Sequence, residues 1–298
     1  MKVLVTGTTG FLASRLRDAL LAEDAFEVLA PGRAELDITD GIACRRWFER
    51  NRPDAVFHLA AVSDVRACAA DEEHSFRVNV EGPANLASCL REFSEGGETP
   101  GRFLFASSDQ VYTANHTDWR INREDDPLAP GNVYGRQKLL AEERVLSVLP
   151  DAYCVRLPWM FDLKPGKDNF IRRVVSCIRT GTPAEYAVNE LRGLGYAAEV
   201  AENMIRLMGS GAPGGAYNFG PPASGSSFDT AEAAFVMAGE VLGLPWEGLA
   251  RPVRWECARS LAMDPGKLSK TGIAFRETAE SIRYCLEREE AFLHESGE

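Results

Sequence analysis

The residues with the most chemical potential are Tyr134 and Lys138, in the run Asn132-Val133-Tyr134-Gly135-Arg136-Gln137-Lys138. They stand at the start of a helical pattern, where residues i and i+4 share a face, so the lysine ammonium is expected near the phenol. A nearby cation favours the ionised phenol. Moving a phenol pKa from about 10 to neutrality requires roughly 4 kcal/mol, which the lysine and a cationic nicotinamide ring together could supply. The pair therefore indicates hydride transfer at a carbonyl or alcohol carbon.

Because chance often produces an isolated Tyr-x-x-x-Lys, the upstream sequence has to decide whether the pair is functional. The β-branched run Lys2 to Thr6 predicts a first strand, and the turn Gly7-Thr8-Thr9-Gly10-Phe11-Leu12-Ala13 follows it and opens a helix. Glycines in such a turn permit close backbone approach, and the N–H groups at the helix start face a pyrophosphate. The turn predicts a dinucleotide site at Gly7, Thr9, Gly10, Phe11 and Leu12.

The end of the second predicted strand, Phe26 to Ala30, bears on the choice of dinucleotide. An NAD site usually places an acidic side chain there, against the ribose 2′-hydroxyl. This chain has Pro31-Gly32-Arg33 instead, and its nearest acid is Glu35. Since an arginine can pair with a 2′-phosphate, Arg33 favours NADP, with NAD still possible.

Predicted strands and helices alternate through the first half of the chain. Asp40 is positioned to cap a helix, a long helical stretch over 71–93 is interrupted at Gly82-Pro83, and the helix with Tyr134 runs to about Val148. Such alternation is typical of an α/β fold with a doubly wound parallel sheet. We expect a dinucleotide-binding domain over 1–160 and a smaller substrate-binding lobe over 161–298, from which the chain may return to the first sheet.

Composition excludes several other classes of protein. The net charge of −11 argues against nucleic-acid binding, which needs a cationic surface. Seven scattered cysteines and the four histidines, at 58, 74, 116 and 294, form no ligand spacing, so we expect no structural metal. No apolar run approaches the roughly 20 residues that span a bilayer. We therefore expect no membrane partner and a cytoplasmic location.

Further segments carry a family resemblance over nearly the whole chain. They are Leu36-Asp37-Ile38-Thr39-Asp40, His58-Leu59-Ala60-Ala61, Asn79 to Leu86, Ser107-Ser108-Asp109-Gln110-Val111-Tyr112, Glu124 to Lys138, and Asp264 to Leu268. Together with the glycine turn, they resemble the extended short-chain dehydrogenase/reductase family, the NAD-dependent epimerase/dehydratase proteins. Within that family the resemblance is greatest to the dTDP-4-dehydrorhamnose reductase group.

The resemblance implies roles for individual residues. Ser108 would hydrogen-bond the substrate oxygen, Tyr134 would be the general acid, and Lys138 would tune it and hold the nicotinamide ribose. The cofactor would also contact the adenine-side and strand-end residues Asp37, Ile38, Leu59, Ala60 and Ala61. On the substrate side the resemblance implies Asp109, Trp159 and Arg192. It implies a sugar nucleotide as substrate and allows a homodimer.

Departures from the family pattern leave the sugar open. Leu194 and Gly195 replace a Pro-Thr pair, Glu199 replaces an aspartate, and Phe161-Asp162 replaces Tyr-Gly. The resemblance favours NADPH-dependent reduction of a 4-keto sugar nucleotide. A sugar-nucleotide 4-epimerase that retains NAD is an alternative, and a dehydratase is disfavoured because Asp109-Gln110 is not the Asp-Glu pair of that group. An alternative of another class is an NADP-binding regulatory subunit without turnover.

Overall fold

A computed structural model describes residues 1–94, 101–113, 119–164 and 168–294. His116 lies outside these ranges. The strands are β1 (Lys2–Thr6), β2 (Glu27–Leu29), β3 (Ala55–His58), β4 (Arg102–Ser108), β5 (Tyr153–Leu157), β6 (Trp159–Phe161), β7 (Ala184–Ala187), β8 (Glu190–Leu191), β9 (Leu194–Tyr196), β10 (Gly215–Asn218), β11 (Ala250–Val253) and β12 (Arg259–Ser260).

The α-helices are α1 (Phe11–Leu21), α2 (Gly41–Asn51), α3 (Val65–Ala70), α4 (Glu72–Phe76), α5 (Gly82–Ser94), α6 (Val133–Val148), α7 (Phe170–Thr180), α8 (Ala197–Gly209), α9 (Ser227–Leu242), α10 (Gly266–Ser269), α11 (Thr278–Arg288) and α12 (Glu290–His294). The expected cap of α2 is present, because the Asp40 carboxylate accepts from the N–H groups of Ile42 and Ala43. The predicted extent of α6 is confirmed.

Six strands form one parallel sheet in the order β10-β5-β4-β3-β1-β2. The chain leaves β1 for β2 on one side and then crosses to β3 on the other. Ligands of doubly wound sheets bind at the carboxyl ends of strands where the order reverses in this way. The glycine turn after β1 and the segment after β3 both lie at this point.

Helices cover both faces of the large sheet. Val3 and Val5 of β1 contribute to a core with α1 and α8, whereas Leu4 between them contributes to a core with α2, α5 and α6. Successive side chains of a strand point to opposite faces, so a strand buried on both sides is apolar at every position. This arrangement confirms the predicted fold class.

The second half of the chain both builds its own core and returns to the first sheet. Helices α7, α9 and α11 enclose a separate apolar cluster, and β11–β7, β12–β8 and β6–β9 form two-stranded sheets. Strand β10, however, pairs with β5, and α8 packs on α1. Arg15 of α1 also donates to the buried carboxylates of Asp162 and Glu289. The division at residue 160 stays a prediction.

The interruption expected at Gly82-Pro83 begins earlier in the structure. Helix α4 ends at Phe76, and residues Arg77–Glu81 form a π-helical turn in which the Gly82 N–H bonds the carbonyl of Arg77. Proline has no N–H to donate to the carbonyl four residues back, so the widened turn accommodates Pro83 directly afterwards. The turn carries Asn79, whose side chain faces the segment after β3.

Membrane-spanning and metal-binding features are both missing from the described ranges. No described helix has the length and apolar character needed to cross a membrane. Within the same residues, no group of three or more His, Cys, Asp or Glu side chains is arranged to hold a metal ion.

Candidate active site

A cleft of about 1110 Å³ opens at the carboxyl ends of β1, β3 and β4. It brings together every residue for which the sequence predicted a site role. These residues are Gly7, Thr9, Gly10, Phe11, Leu12, Arg33, Asp37, Ile38, Leu59, Ala60, Ala61, Ser108, Asp109, Tyr134, Lys138, Trp159 and Arg192. The glycine turn, the candidate catalytic residues and the candidate substrate residues therefore surround the same cleft.

The glycine turn has the geometry of a phosphate cradle. Gly7 has φ +75°, and a Cβ on it would lie 2.8 Å from backbone atoms of Ala60, so no other residue fits. A Cβ on Gly10 would lie 2.9 Å from the carbonyl oxygen of Gly7. Residues 10–13 at the start of α1 line the cleft, and among the described residues no side chain caps this helix. An anion fits there through the N–H groups at the helix start and the helix dipole.

Thr6 and His58 hold the segment after β3 against the glycine turn. The Thr6 hydroxyl oxygen accepts from the N–H groups of Leu59 at 3.2 Å and Ala60 at 3.3 Å. It also lies 2.7 Å from His58 Nδ1. Burial lowers the pKa of His58 to about 3, so the imidazole is neutral and serves as a fixed hydrogen-bond partner. Leu59 and Ala60 are thereby held in the wall of the cleft.

Arg33 and Asp37 line the cleft at the end of the sheet near β2. Hydrogen bonds from the hydroxyl and N–H of Thr39 lower the pKa of Asp37, and Arg33 contributes a smaller lowering. The Arg33 side chain is exposed, and Glu35 accepts from the Gly32 N–H instead of pairing with it. The Arg33 guanidinium at this end of the cleft is therefore available to an anion.

The candidate catalytic residues come from β4 and α6. Ser108 is the last residue of β4, and Asn132 caps α6 by accepting from the Gly135 N–H at 2.8 Å. A Cβ on Gly135 would lie only 2.4 Å from the carbonyl oxygen of Gln110. The glycine therefore allows α6 to approach the end of β4 closely. This approach puts Tyr134 within hydrogen-bonding reach of Ser108.

Burial and neighbouring groups act on the protonation of Tyr134. Burial raises the pKa of the phenol well above its usual value, and the opposing effects of the Ser108 hydrogen bond and of Arg192 are smaller. Lys138 lies with Nζ 5.7 Å from the ring centroid of Tyr134 and donates to the carbonyl of Ala106 at 2.8 Å. Its ammonium is thus directed to the backbone, and the lowering expected from the lysine and a nicotinamide ring together stays a prediction. Burial therefore favours the neutral form of the Tyr134 phenol.

Burial also acts on Lys138 itself. Desolvation lowers the pKa of its ammonium to about 8, although Cys68 and Glu142 oppose this effect. The ammonium also lies 4.6 Å from the centroid of the Phe105 ring. A group with this pKa is mostly protonated at neutral pH and loses its charge under mildly alkaline conditions.

The predicted substrate residues form one contact cluster. Arg192 donates to the Asp109 carboxylate from Nε at 2.9 Å and from Nη2 at 3.2 Å, and its guanidinium lies 5.4 Å from the Trp159 ring. Asp109 also accepts from the Ser108 hydroxyl at 3.2 Å. The Trp159 side chain remains 37% exposed and lines the cleft, so it is not a buried core residue.

Comparison with known proteins assigns the family. The profile described as the RmlD substrate binding domain matches residues 1–290. The chain belongs to this family. It is 31% identical to a dTDP-4-dehydrorhamnose reductase of Streptomyces griseus over 286 residues, covering 95% of this chain and 84% of the relative. This membership confirms the resemblance predicted from the motifs, and the chain is an NAD(P)-dependent reductase of the extended short-chain type.

Two solved structures support the fold of this RmlD family member. A dTDP-4-dehydrorhamnose reductase of Bacillus anthracis str. Ames, solved with NADP, has a TM-score of 0.83 at 18% identity and covers 96% of this chain and 98% of its own. A UDP-glucose 4-epimerase of Thermus thermophilus, solved with NAD, has a TM-score of 0.75 at 22% identity, with coverage of 96% and 98%. The shared fold therefore accommodates both reductases and epimerases.

Sequence reasoning missed three residues that support the site, Gly135, Gln137 and Glu142. Gln137 accepts from Asn79, which also bonds Val62 in both directions and so joins the π-helical turn to the cleft wall. Glu142, one turn after Lys138, accepts from Ser107 and Arg156. Only Gly135 carried a visible signal, because glycine inside a helix is unfavourable unless close packing requires it.

Proposed function

We propose that the chain reduces the keto group of a 4-keto sugar nucleotide with NADPH. The supporting observation is the convergence of the phosphate cradle, a protonated buried tyrosine and a serine hydroxyl in one cleft. Family membership supports the reaction class. The relative of Streptomyces griseus is named for dTDP-4-dehydrorhamnose reduction, which supports the substrate class.

The residues of this chain divide the chemistry among them. When bound in the cleft, the nicotinamide would supply a hydride to the keto carbon. Ser108 donates a hydrogen bond to the keto oxygen, and Tyr134 transfers its proton to that oxygen as negative charge develops. Because burial keeps the phenol protonated, the proton is in place before the reaction begins. Lys138 contributes a positive charge and donors for the ribose hydroxyls.

The test measures loss of NADPH absorbance with a dTDP-linked 4-keto-6-deoxy sugar. Tyr134→Phe should lower kcat by about 10²- to 10⁴-fold, since it removes only the proton donor, and should leave the Kd for NADPH similar. Tyr153→Phe is the matched control, because its hydroxyl donates to the Ala212 carbonyl outside the cleft. Full turnover by Tyr134→Phe would contradict the proposed acid.

We propose NADP over NAD on the basis of Arg33, which lines the cleft and whose guanidinium can pair with a 2′-phosphate. Arg33→Gln should weaken NADPH binding by about tenfold, the usual effect of losing one charge-assisted hydrogen bond, and leave NADH binding unchanged. Ratios of kcat/KM for the two cofactors measure this. A wild-type preference for NADH would contradict the assignment.

The same assays separate the alternatives. Tightly retained NAD, with interconversion of a sugar epimer and no net NADPH oxidation, would favour a 4-epimerase. NADP binding without turnover of any sugar nucleotide, with a partner enzyme that copurifies, would favour a regulatory subunit. The remaining expectations stay predictions. They are that the protein has no structural metal, no nucleic-acid partner and no membrane partner, that it can form a homodimer, and that it is located in the cytoplasm.

A further inference from the structure

The ion pair between Asp109 and Arg192 joins the end of β4 to the segment after β8. Arg192 donates to the Asp109 carboxylate from Nε at 2.9 Å and from Nη2 at 3.2 Å. The Asp109 side chain is 1% exposed, that of Arg192 is 17% exposed, and both residues line the cleft. Water therefore hardly reaches the carboxylate, and the guanidinium compensates its charge.

Asp109 is in direct contact with the candidate catalytic serine. Its Oδ1 accepts from the Ser108 hydroxyl and from Gln110 Nε2, each at 3.2 Å. Gln110 Oε1 in turn accepts from Asn132 Nδ2 at 3.1 Å, and Asn132 caps the helix that carries Tyr134. A change in the charge of the Asp109 carboxylate therefore acts both on Ser108 and on the start of α6.

The single proton of the Ser108 hydroxyl cannot serve two acceptors at once. The hydroxyl donates to Asp109 in the structure, whereas the proposed reaction needs its proton at the keto oxygen. The serine oxygen is itself anchored, because it accepts from the Gln110 N–H at 3.3 Å. The hydroxyl proton can therefore turn from the carboxylate to a substrate while the serine oxygen stays in place.

Arg192 accounts for the weakness of the bond between Ser108 and Asp109. A hydroxyl that donates to a carboxylate usually lies about 2.5–2.7 Å from it, and the distance here is 3.2 Å. Oδ1 is shared among three donors, and Oδ2 accepts from Arg192 Nε. Without the guanidinium, a buried carboxylate would lack a cation and would bind the serine proton more strongly.

The charges of the pair also act on Tyr134. Burial has the largest effect on the pKa of the phenol and raises it, the Asp109 carboxylate adds to the rise, and the Arg192 guanidinium opposes it. Reduction places negative charge on the keto oxygen and then on the phenol oxygen. An uncompensated carboxylate beside Ser108 would repel that charge, whereas the guanidinium offsets the repulsion.

The surrounding structure orients Arg192. The residue directly follows β8, and a Cβ on the next residue, Gly193, would lie 2.7 Å from the carbonyl oxygen of Pro221. The glycine therefore permits a close backbone approach at this point. The ring of Trp159 lies 5.4 Å from the guanidinium. Arg192 is thus directed at Asp109 by contacts within the chain itself.

We propose that Arg192 is a positioning residue that acts on the reaction through Asp109. Its guanidinium compensates the carboxylate, so that the Ser108 hydroxyl can leave Asp109 and donate to the keto oxygen. This role differs from the direct substrate contact that the family resemblance implies for Arg192. The inference rests on the proposed function for its reaction, and it requires that Arg192 matters only while Asp109 carries its charge.

The experiment is a double-mutant cycle between Arg192 and Asp109, with kcat and KM measured for a dTDP-linked 4-keto-6-deoxy sugar at saturating NADPH. Loss of an oxyanion donor costs roughly 10²- to 10³-fold in kcat, and Arg192→Met should show part of this, a fall of at least about tenfold. Its KM should change by less than about threefold, because no substrate contact is removed. Arg192→Met added to Asp109→Asn should lower kcat by less than about threefold, because no carboxylate charge is left to compensate. Arg192→Lys should keep most of the turnover, since it retains the cation.

Arg45→Met is the matched control, since Arg45 pairs with Glu92 where the side chains are 64% and 43% exposed. Tm and the Kd for NADPH check that each variant keeps its fold and its cofactor site. An equal loss of kcat from Arg192→Met with and without Asp109→Asn would overturn the proposal, as would a rise in KM with no fall in kcat. Should Arg192→Met alone fail to fold, its effect in the Asp109→Asn background decides, and a loss there of more than about threefold would overturn it.

Crystal structures of the variants separate this inference from the proposed reaction. In Arg192→Met the distance between Ser108 Oγ and the Asp109 carboxylate should shorten from 3.2 Å to about 2.7 Å. If it shortens while even the wild type reduces no keto sugar, the positioning stands and the reductase proposal fails. If the wild type reduces the sugar and Arg192→Met changes neither this distance nor kcat, the reaction stands and the positioning fails.

Discussion

Glu142→Gln tests how far the buried ion pair beneath the active site stabilises the protein. Arg156 donates to Glu142 from Nε at 3.1 Å and from Nη2 at 2.8 Å, and each side chain is 4% exposed. Ser107, next to the candidate catalytic serine, donates to the same carboxylate. Glutamine keeps the shape of the side chain but leaves the Arg156 charge buried without its anion.

Removing one partner of a buried pair typically costs about 3–5 kcal/mol, because the remaining charge stays desolvated. Unfolding entropy of about 2.1 cal/mol/K per residue gives roughly 0.6 kcal/mol/K for a chain of this length. The expected fall in Tm is therefore about 5–8 °C. Differential scanning calorimetry at neutral pH measures it.

The control is Glu92→Gln, which breaks the exposed pair with Arg45, where the side chains are 43% and 64% exposed. Water and salt screen such pairs, so Tm should hardly change. A Tm loss for Glu142→Gln no larger than that for Glu92→Gln would refute the reasoning. Replacing both Glu142 and Arg156 by methionine should recover much of the loss, since no unpaired charge then remains.

Two further predictions concern α6. Gly135→Ala should lower stability by about 1–3 kcal/mol and reduce turnover, because its Cβ would lie 2.4 Å from the Gln110 carbonyl oxygen. Gly209→Ala, which has open space around it, should leave Tm unchanged or slightly raised, and equal effects of the two changes in calorimetry would contradict the packing argument. Because burial lowers the Lys138 pKa to about 8, its charge is present below that pH and lost above it. NADPH affinity should fall at least about fivefold between roughly pH 7 and 9 in wild type. Fluorescence titrations of Lys138→Met should show no such fall, and a pH-independent wild type would count against the role of the lysine.

The pKa of Lys138 also affects stability in a definite direction. Its folded-state pKa is below the ordinary value of 10.5, so the unfolded chain binds more protons between about pH 8 and 10.5. The contribution of this group to stability should therefore rise with pH across that window and be constant below it. The wild-type protein, but not Lys138→Met, should show this contribution.

The parts of the site that the sequence determined are those built by neighbouring residues. The turn from Gly7 to Ala13 follows from glycine's access to positive φ and from the helix start after it. The helical spacing of Tyr134 and Lys138 follows from the period of α6. Alternation of apolar strands and amphipathic helices was likewise enough to predict a parallel sheet with two covered faces.

Tertiary structure alone decided how distant segments meet. Asp109 meets Arg192 and Glu190 meets Arg259, pairs separated by 83 and 69 positions, because the small sheets of the second half close over the end of β4. No local pattern encodes such contacts. The pKa of Tyr134 likewise depends on the packed structure, because burial of the phenol raises it. Local periodicity thus determined which residues could react, whereas desolvation and long-range pairing, which depend on the packed whole, decided their protonation and their partners.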